Sequence, residues 1–401
     1  MLISLSLENK FIESIEKMSL GNNTITKKPN CVCISCFNYY DTRMKQITEF
    51  FRRKGYEVIY VTSDFNHFEK RRFKVDYPDT IQVHVPVYKK NISIQRIVSQ
   101  YLFSMRAFEV VKKHQPAIIY CMFPPNSIVK FIGKYKAKTG CKLVFDGYDM
   151  WPESLPVKNG GKLLSLPLGI WANLRDKYIE NADLILVVSQ AMADMVKDKW
   201  QHTPIKLLKP AISISDLPKY NFEIEKKLSF CYLGNIHHIT DIELLVALLG
   251  RLAKSKIVEL HIIGEGANFN ELITKAKDAG IICCPHGVVM DQTVKKQIYA
   301  QCHFGLNVPR EEIHSTMSLK SVEYMSVGLP FINSAGGDSW KIVDKEVIGC
   351  NVSMSTVDEV AKRILELKRD YMETMHQNCL NSYKEMFLSQ NLDEILAEIL
   401  E

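Results

Sequence analysis

The chain has 401 residues, 46% of them hydrophobic and 24% charged, with 19 glycines and 15 prolines; this length exceeds what one hydrophobic core commonly serves, and the composition excludes disordered and collagen-like chains. The 51 lysines and arginines against 45 acidic residues leave a formal charge of +6, which suits anionic small ligands or an anionic surface, and the scattered basic residues carry no aromatic RNA-binding signature, so no nucleic-acid partner is expected. The 11 cysteines lie mostly inside apolar runs, as Cys31 and Cys33 do in CVCIS, without the paired spacing of a metal site; no metal and no cofactor is expected, and an odd count without a signal peptide points to a reducing cytoplasm.

Residues 1–29 contain a small amphipathic stretch, FIESIEKM, and the polar run GNNTITKKPN, and are read as an N-terminal extension of helix and linker. From residue 30 onward short β-rich apolar runs alternate with longer helical patterns, the signature of βαβ units and a mostly parallel sheet. Strands are expected at CVCISCF, EVIYVTS, IQVHVP, AIIYCMF, KLVFDGY and LILVVS, with helices between them such as SIQRIVSQYLFSMRAFEVVKKH. After a polar connector around PKYNFEIEKK the pattern restarts with LSFCYLGN, VELHIIGEG, GIICCPHG, HFGLNVP and LPFINSA. Two α/β domains follow, over 30–215 and 216–380, with a terminal helical segment, 381–401, that could pack back on the first domain. No run approaches the roughly 20 apolar residues of a spanning helix; the longest, LLSLPLGIWANL from Leu163, is broken by Pro167 and Gly169.

The segment with most chemical content is HFGLNVPREEIHSTMSLKSVEYMSVGLPFINS, starting at His303. A strand ends at Pro309, a polar loop follows, and a helix beginning near Leu319 carries Glu323. In an open parallel sheet ligands sit beyond the carboxyl ends of strands, where helix N-termini present free N–H groups to phosphate. A glutamate one turn into such a helix can accept from ribose hydroxyls.

SLKSVEYMSVGLPFI resembles the nucleotide-sugar helix of GT-B glycosyltransferases, particularly the retaining group of family four. The likeness extends in family order through DTRMKQITEFFRRKGYEVIYVTSD, FDGYDMWPES, ADLILVVSQAMADMV, YLGNI and HIIGEG. DMWPES in particular is similar to transferases that build bacterial surface polysaccharides. The resemblance implies two Rossmann-like domains facing each other across a cleft, with a nucleotide sugar between them and a saccharide or lipid-linked saccharide as acceptor. By the same resemblance Glu323 holds the ribose, the turn at Gly234, Asn235 and Ile236 approaches the pyrophosphate, and Gly264 and Gly266 help close the nucleotide pocket. For these two glycines a helix–strand turn without a ligand explains the residue type equally well. His286 resembles a nucleotide-side position, although a lone histidine is more often structural.

Two departures from the family pattern are visible. Seven residues between a glutamate pair would put the first partner of Glu323 at Ser315, and the basic pair expected after the GN turn is replaced by His237 and His238. Lys320, three residues before Glu323 and on the same helical face, is the expected source of the missing positive charge, with Arg310 as the alternative. In the first domain Asp149 and Glu153 of FDGYDMWPES should emerge at the carboxyl end of a strand and face the cleft, with helix capping as the competing reading. Asp41 and Arg43 open a helix whose N-terminus could hold phosphate or acceptor, or simply cap it.

The resemblance implies transfer with retention, dominated by electrostatic stabilisation of the departing diphosphate and without metal. A nucleotide-sugar epimerase of the same architecture and a non-catalytic partner that binds nucleotide sugar are the rival readings. A neutral isostere at Glu323 is expected to weaken donor binding without disturbing the fold. Peripheral contact with the anionic inner face of the cell membrane is expected through the stretch Leu163 to Leu174 and the basic residues Lys112, Lys113, Lys130, Lys134, Lys136 and Lys138.

Overall fold

The computed structural model describes residues 30–400 except 38–40, 68, 91–92, 154–160, 211–216, 221, 311–317 and 389. The extension expected in residues 1–29 therefore lies outside the described residues.

The first domain runs β1 (Asn30–Ile34), α1 (Asp41–Arg53), β2 (Glu57–Ser63), a hairpin of β3 (Phe65–Asn66) and β4 (Arg71–Arg72), β5 (Thr80–Val83), α2 (Ile94–His114), β6 (Ile118–Phe123), α3 (Asn126–Thr139), β7 (Lys142–Gly147), α4 (Gly161–Asp176), β8 (Leu184–Val187), α5 (Gln190–Val196) and β9 (Ile205–Leu207). Seven of these strands form a sheet in the order β5-β2-β1-β6-β7-β8-β9, every pair parallel. Strands β6 and β8 are buried along their whole length, which is why they read as unbroken apolar runs rather than alternating ones.

The second domain runs β10 (Lys227–Leu233), α6 (Ile242–Ala253), β11 (Ile257–Ile263), α7 (Phe269–Asp278), β12 (Ile282–Gly287), α8 (Gln292–Tyr299), β13 (Phe304–Asn307), α9 (Leu319–Ser326), β14 (Phe331–Asn333), α10 (Asp338–Glu346), β15 (Gly349–Asn351), α11 (Val357–Glu366) and α12 (Arg369–Tyr383). Its parallel sheet has the order β12-β11-β10-β13-β14-β15. Helix α6 shows how sequence builds these layers. Asp241 caps it by accepting from the Leu244 N–H at 2.9 Å, and Leu244, Leu245, Leu248, Leu249 and Leu252 bury one helical face against the sheet.

In each sheet the winding reverses once, between β1 and β6 and between β10 and β13. At such a reversal the loops leaving the two neighbouring strands diverge, opening a crevice at their carboxyl ends. In the second domain the GN turn after β10 and the carboxyl end of β13 stand at this reversal.

Two features depart from the sequence reading. Strands β9 and β15 have three residues each, too short for a periodicity to register. The run from Leu163 that Pro167 and Gly169 interrupt lies in one helix, α4, Gly161–Asp176. After a π turn over Lys384–Leu388 the chain leaves the second domain and ends in α13 (Leu392–Ile395) and α14 (Ala397–Leu400); Leu396 and Ile399 are buried in the core of the first domain. Among the described residues no helix is long and apolar enough to cross a membrane.

Candidate active site

The second-domain crevice is framed by two turns that are hydrogen-bonded into one unit. Gly234 N–H donates to Ile263 O at 2.8 Å, Ile236 N–H to Glu265 O at 2.9 Å, and Asn268 N–H to Ile236 O at 3.0 Å. Gly264 and Gly266 have φ values of 145° and 157°. A Cβ on Gly264 would lie 2.0 Å from Gly234 O, and one on Gly266 2.1 Å from Ile236 O. The backbone contact between the turns therefore accounts for both glycines by itself. Ile236 is buried in the domain core, whereas Asn235 is exposed at the tip of the turn.

Helix α9 is held against this crevice by a polar ladder that sequence patterning did not reveal. Asn307 at the end of β13 donates to Asn333 Oδ1 on β14 at 2.8 Å, and Asn333 donates to Asn351 Oδ1 on β15 at 2.8 Å. Asn307 Oδ1 accepts from the Ser318 hydroxyl at 3.0 Å, and Ser318 Oγ in turn accepts the Ser321 N–H at 3.2 Å as the N-cap of α9. Each asparagine is a donor and an acceptor, so a row of them on adjacent strands, two buried and one partly so, satisfies itself while fixing the helix start.

Lys320, in the first turn of α9, reaches the GN turn. Its ammonium lies 4.4 Å from the centre of the Tyr232 ring, and a Cβ on Gly234 would meet Nζ at 3.9 Å. Tyr232 is itself fixed by bonds to Asn235 O at 3.2 Å and Thr240 Oγ1 at 2.8 Å. His237 follows on the same turn; burial, then His238 and Lys320, keep its imidazole pKa below the ordinary value.

Glu323, one turn further along α9, is mostly buried. Its Oε1 accepts from Lys295 Nζ and from the Tyr299 hydroxyl, both at 2.7 Å and both from α8. Lys295 is buried too, so the carboxylate is the counter-ion of a buried ammonium. Neither α8 residue was singled out in the sequence; the i to i+4 spacing of Lys295 and Tyr299 is the signal that could have drawn attention to them.

Arg310 is exposed; its N–H donates to Ile239 O at 2.8 Å, and its charge contributes to lowering the Glu271 carboxyl pKa, behind the hydrogen bonds from Lys275 and Asn268. Of the two candidate cations, Lys320 is the one whose ammonium contacts the glycine turn. His286 does not join them. It lies on the edge strand β12, with Nε2 3.1 Å from His261 Nδ1 and the two rings stacked at 5.3 Å. Ser315 lies outside the described residues.

In the first domain Arg43 is not free for a ligand. Its guanidinium makes a bidentate pair with Asp146, two bonds of 2.6 Å, and a third to Leu208 O at 2.6 Å. Asp146 is fully buried at the end of β7 and also accepts from the Tyr120 hydroxyl at 2.5 Å. This corrects the reading of Arg43 as an acceptor-side residue: an arginine in the first helical turn is drawn inward because β7, two strands from β1 in the sheet, supplies a buried carboxylate. Desolvation works against that charge, but Asp146 overcomes it and raises the Arg43 pKa.

Glu153 is corrected in the same way. Its two oxygens accept from Arg175 Nη1 at 3.0 Å and Nη2 at 2.6 Å, and Arg175 is buried, donates to Trp151 O at 2.9 Å and lies over the Trp200 ring. Burial raises the Glu153 pKa, but the Arg175 bonds and charge more than offset it, so the carboxyl sits below its ordinary value. It pins the loop after β7 rather than facing a ligand. Asp149 is partly buried in that loop. The side chain of Asp41 lies outside the described residues. Among the described residues no three His, Cys, Asp or Glu side chains gather as a metal site requires.

Residues 41–216 match the family model described as Glycosyltransferase Family 4, and residues 227–370 match Glycosyl transferases group 1. No curated protein matches the sequence. Among solved structures, sucrose-phosphate synthase from Thermosynechococcus elongatus is similar with a TM-score of 0.68 at 14% identity, over 93% of this chain and 97% of that one. HepE of Anabaena, in complex with UDP-glucose, gives 0.63 at 13% identity, over 92% and 98% of the two chains. The lipopolysaccharide outer core galactosyltransferase WaaB gives 0.56 at 17% identity, over 89% and 99%.

Proposed function

From the premise that the chain is a glycosyltransferase of the GT-B fold, a family-four domain followed by a group 1 domain, we propose that it moves a sugar from a nucleoside-diphosphate sugar to a saccharide or lipid-linked saccharide, with retention at the sugar carbon. The product would serve surface polysaccharide or glycoconjugate synthesis. The observation that carries this reading is Lys320, whose ammonium stands beside the Gly234 turn at the sheet's reversal point. A diphosphate at that point meets a lysine and the amino end of α9, two sources of positive potential.

In the reaction the bond from the sugar carbon to the diphosphate oxygen breaks while a bond from that carbon to the acceptor oxygen forms on the same face. The acceptor hydroxyl gives its proton to the leaving diphosphate oxygen. Negative charge grows on the diphosphate as the glycosidic bond lengthens, so a fixed cation there stabilises the transition state more than the ground state. Glu323 sits one turn deeper on α9, on the side where a ribose would follow its diphosphate.

Single-turnover transfer under saturating donor tests the assignment. Lys320→Ala should slow the step by roughly 100-fold, the effect of removing one preorganised charge-stabilising group, while Arg310→Ala stays close to the native rate. A large loss with Arg310→Ala and a near-normal rate with Lys320→Ala would move the role to Arg310. Mass spectrometry of the products should find an extended acceptor; an isomerised nucleotide sugar formed without acceptor would replace transfer by epimerisation.

A further inference from the structure

Helix α2 exposes an apolar stripe while burying polar side chains. Arg96, Ser99, Gln100 and Ser104 are buried beside Phe103, Ala107 and Val111, while Ile94, Ile97, Val98, Tyr101 and Met105 are between 41% and 80% exposed. The five exposed residues follow i, i+3, i+4, i+7 and i+11 spacing, so they form one stripe along the helix. Its orientation is fixed from within. The Arg96 guanidinium stacks 3.9 Å from the centre of the Trp151 ring, and Ser104 bonds to Ser127 Oγ on α3 at 2.7 Å. Turning the isoleucines inward would break both contacts and expel the aromatic partner of an arginine, so the apolar stripe is held toward solvent.

The surroundings of the stripe are basic. Helix α3 lies beside α2, with the Tyr101 and Phe131 rings 5.8 Å apart and Phe108 stacked on Phe131 at 5.6 Å. Apart from buried Arg96 and from Lys136, which pairs with Asp183 at 2.8 Å, the two helices carry Arg106, Lys112, Lys113, Lys130, Lys134 and Lys138, against the single acid Glu109, which Lys112 pairs at 2.7 Å. Lys89 and Lys90, both exposed, precede α2. A lone apolar stripe would suit many partners. An apolar stripe on a 21-residue helix, flanked by aromatic rings and rimmed by lysines with almost no acid, matches the layering of an anionic bilayer surface: acyl boundary, interface and negative headgroups.

We propose that the outer face of α2, with the lysine rim of α3, seats the protein on anionic lipid, lying in the interface without crossing it. This goes beyond the transfer reaction and moves the membrane contact from the Leu163 to Leu174 stretch to α2. It also accounts for the buried Arg96, Ser99, Gln100 and Ser104, since the apolar residues of the stripe are turned to the lipid in place of the core.

The test is flotation of the full chain with vesicles of phosphatidylcholine alone or mixed with phosphatidylglycerol. Binding to the mixed vesicles should fall as salt rises, and Ile97→Ser with Tyr101→Ser should weaken it by about ten-fold or more. Lys112→Glu with Lys134→Glu should abolish the preference for anionic lipid. Transfer to a soluble acceptor without vesicles should be unchanged in all these variants, which separates failure of docking from failure of the transferase assignment. Binding that ignores lipid charge, or that survives both stripe substitutions, overturns the proposal. So does a native dimer that the stripe substitutions convert to monomer without loss of flotation, because the stripe would then be covered by a second copy.

Discussion

At the scale of single residues, the structure changes what a substitution at Glu323 should do. Read from sequence, its carboxylate waits for ribose and a glutamine isostere leaves the fold alone. In the folded chain the same carboxylate neutralises Lys295 and accepts from Tyr299. Removing one partner of a buried ion pair costs about 3–5 kcal/mol, because the other charge stays buried; glutamine keeps an acceptor oxygen, so Glu323→Gln should cost roughly 1–3 kcal/mol. Urea unfolding should register this loss, and calorimetry should show weakened donor binding beyond it. Glu323→Gln combined with Lys295→Met should recover stability, since no unpaired charge remains, without recovering donor affinity. Recovery of both would mean that Glu323 serves only its ion pair. Glu323 itself was legible from its place in SLKSVEYMSVGLP, but its counter-ion was not, because Lys295 belongs to a different helix 28 residues earlier.

Elements were legible wherever one local rule dominated. Buried parallel strands announce themselves as apolar runs, and α6 shows its cap and its face in the sequence DIELLVALLGRLA. Pairing across elements left no such trace. Arg43 meets Asp146 across 103 residues, and the row Asn307, Asn333, Asn351 assembles only when three strands take their register. His303 belongs to this second kind. Just before β13 its Nδ1 accepts from Ser229 N–H at 2.9 Å on β10, which requires that nitrogen to be unprotonated. Burial, acting with this environment, lowers its pKa to about 4. An unfolded histidine titrates near 6.5, so between about pH 6.5 and 4 the unfolded chain binds the extra proton, and stability is lost as pH falls. From pH 6.5 to 5 this one group should remove roughly 2 kcal/mol. Urea midpoints at the two pH values should move further apart for the native chain than for His303→Asn, whose amide oxygen can still accept from Ser229. Equal displacements would show that His303 does not drive the acid response.

The whole molecule is closed by its last residues, which leave the domain they follow and complete the one that began the chain. Leu396 and Ile399 are buried in the first-domain core. Around them Lys206 Nζ donates to Ile395 O at 3.4 Å, Lys209 N–H donates to Gln390 Oε1 at 2.6 Å, and Lys54 pairs with Asp393. The apolar contacts dominate, because exposed ion pairs contribute at most about 1 kcal/mol, whereas removing a buried leucine or isoleucine side chain costs about 2–5 kcal/mol. The first domain therefore depends on a segment synthesised after the second, and its stability should respond to changes that lie outside both family-matched regions. Three of the four tryptophans, Trp151, Trp171 and Trp200, lie in the first domain, so tryptophan fluorescence reports mainly on it. Leu396→Ala with Ile399→Ala should shift the fluorescence transition to lower urea by the equivalent of about 4 kcal/mol or more. Unfolding of the second domain, followed by protection of α6 amides from hydrogen exchange, should stay near its native midpoint. If both transitions move together, the terminal segment couples the domains into one cooperative unit; if the tryptophan transition does not move, the burial of Leu396 and Ile399 contributes nothing to the first core.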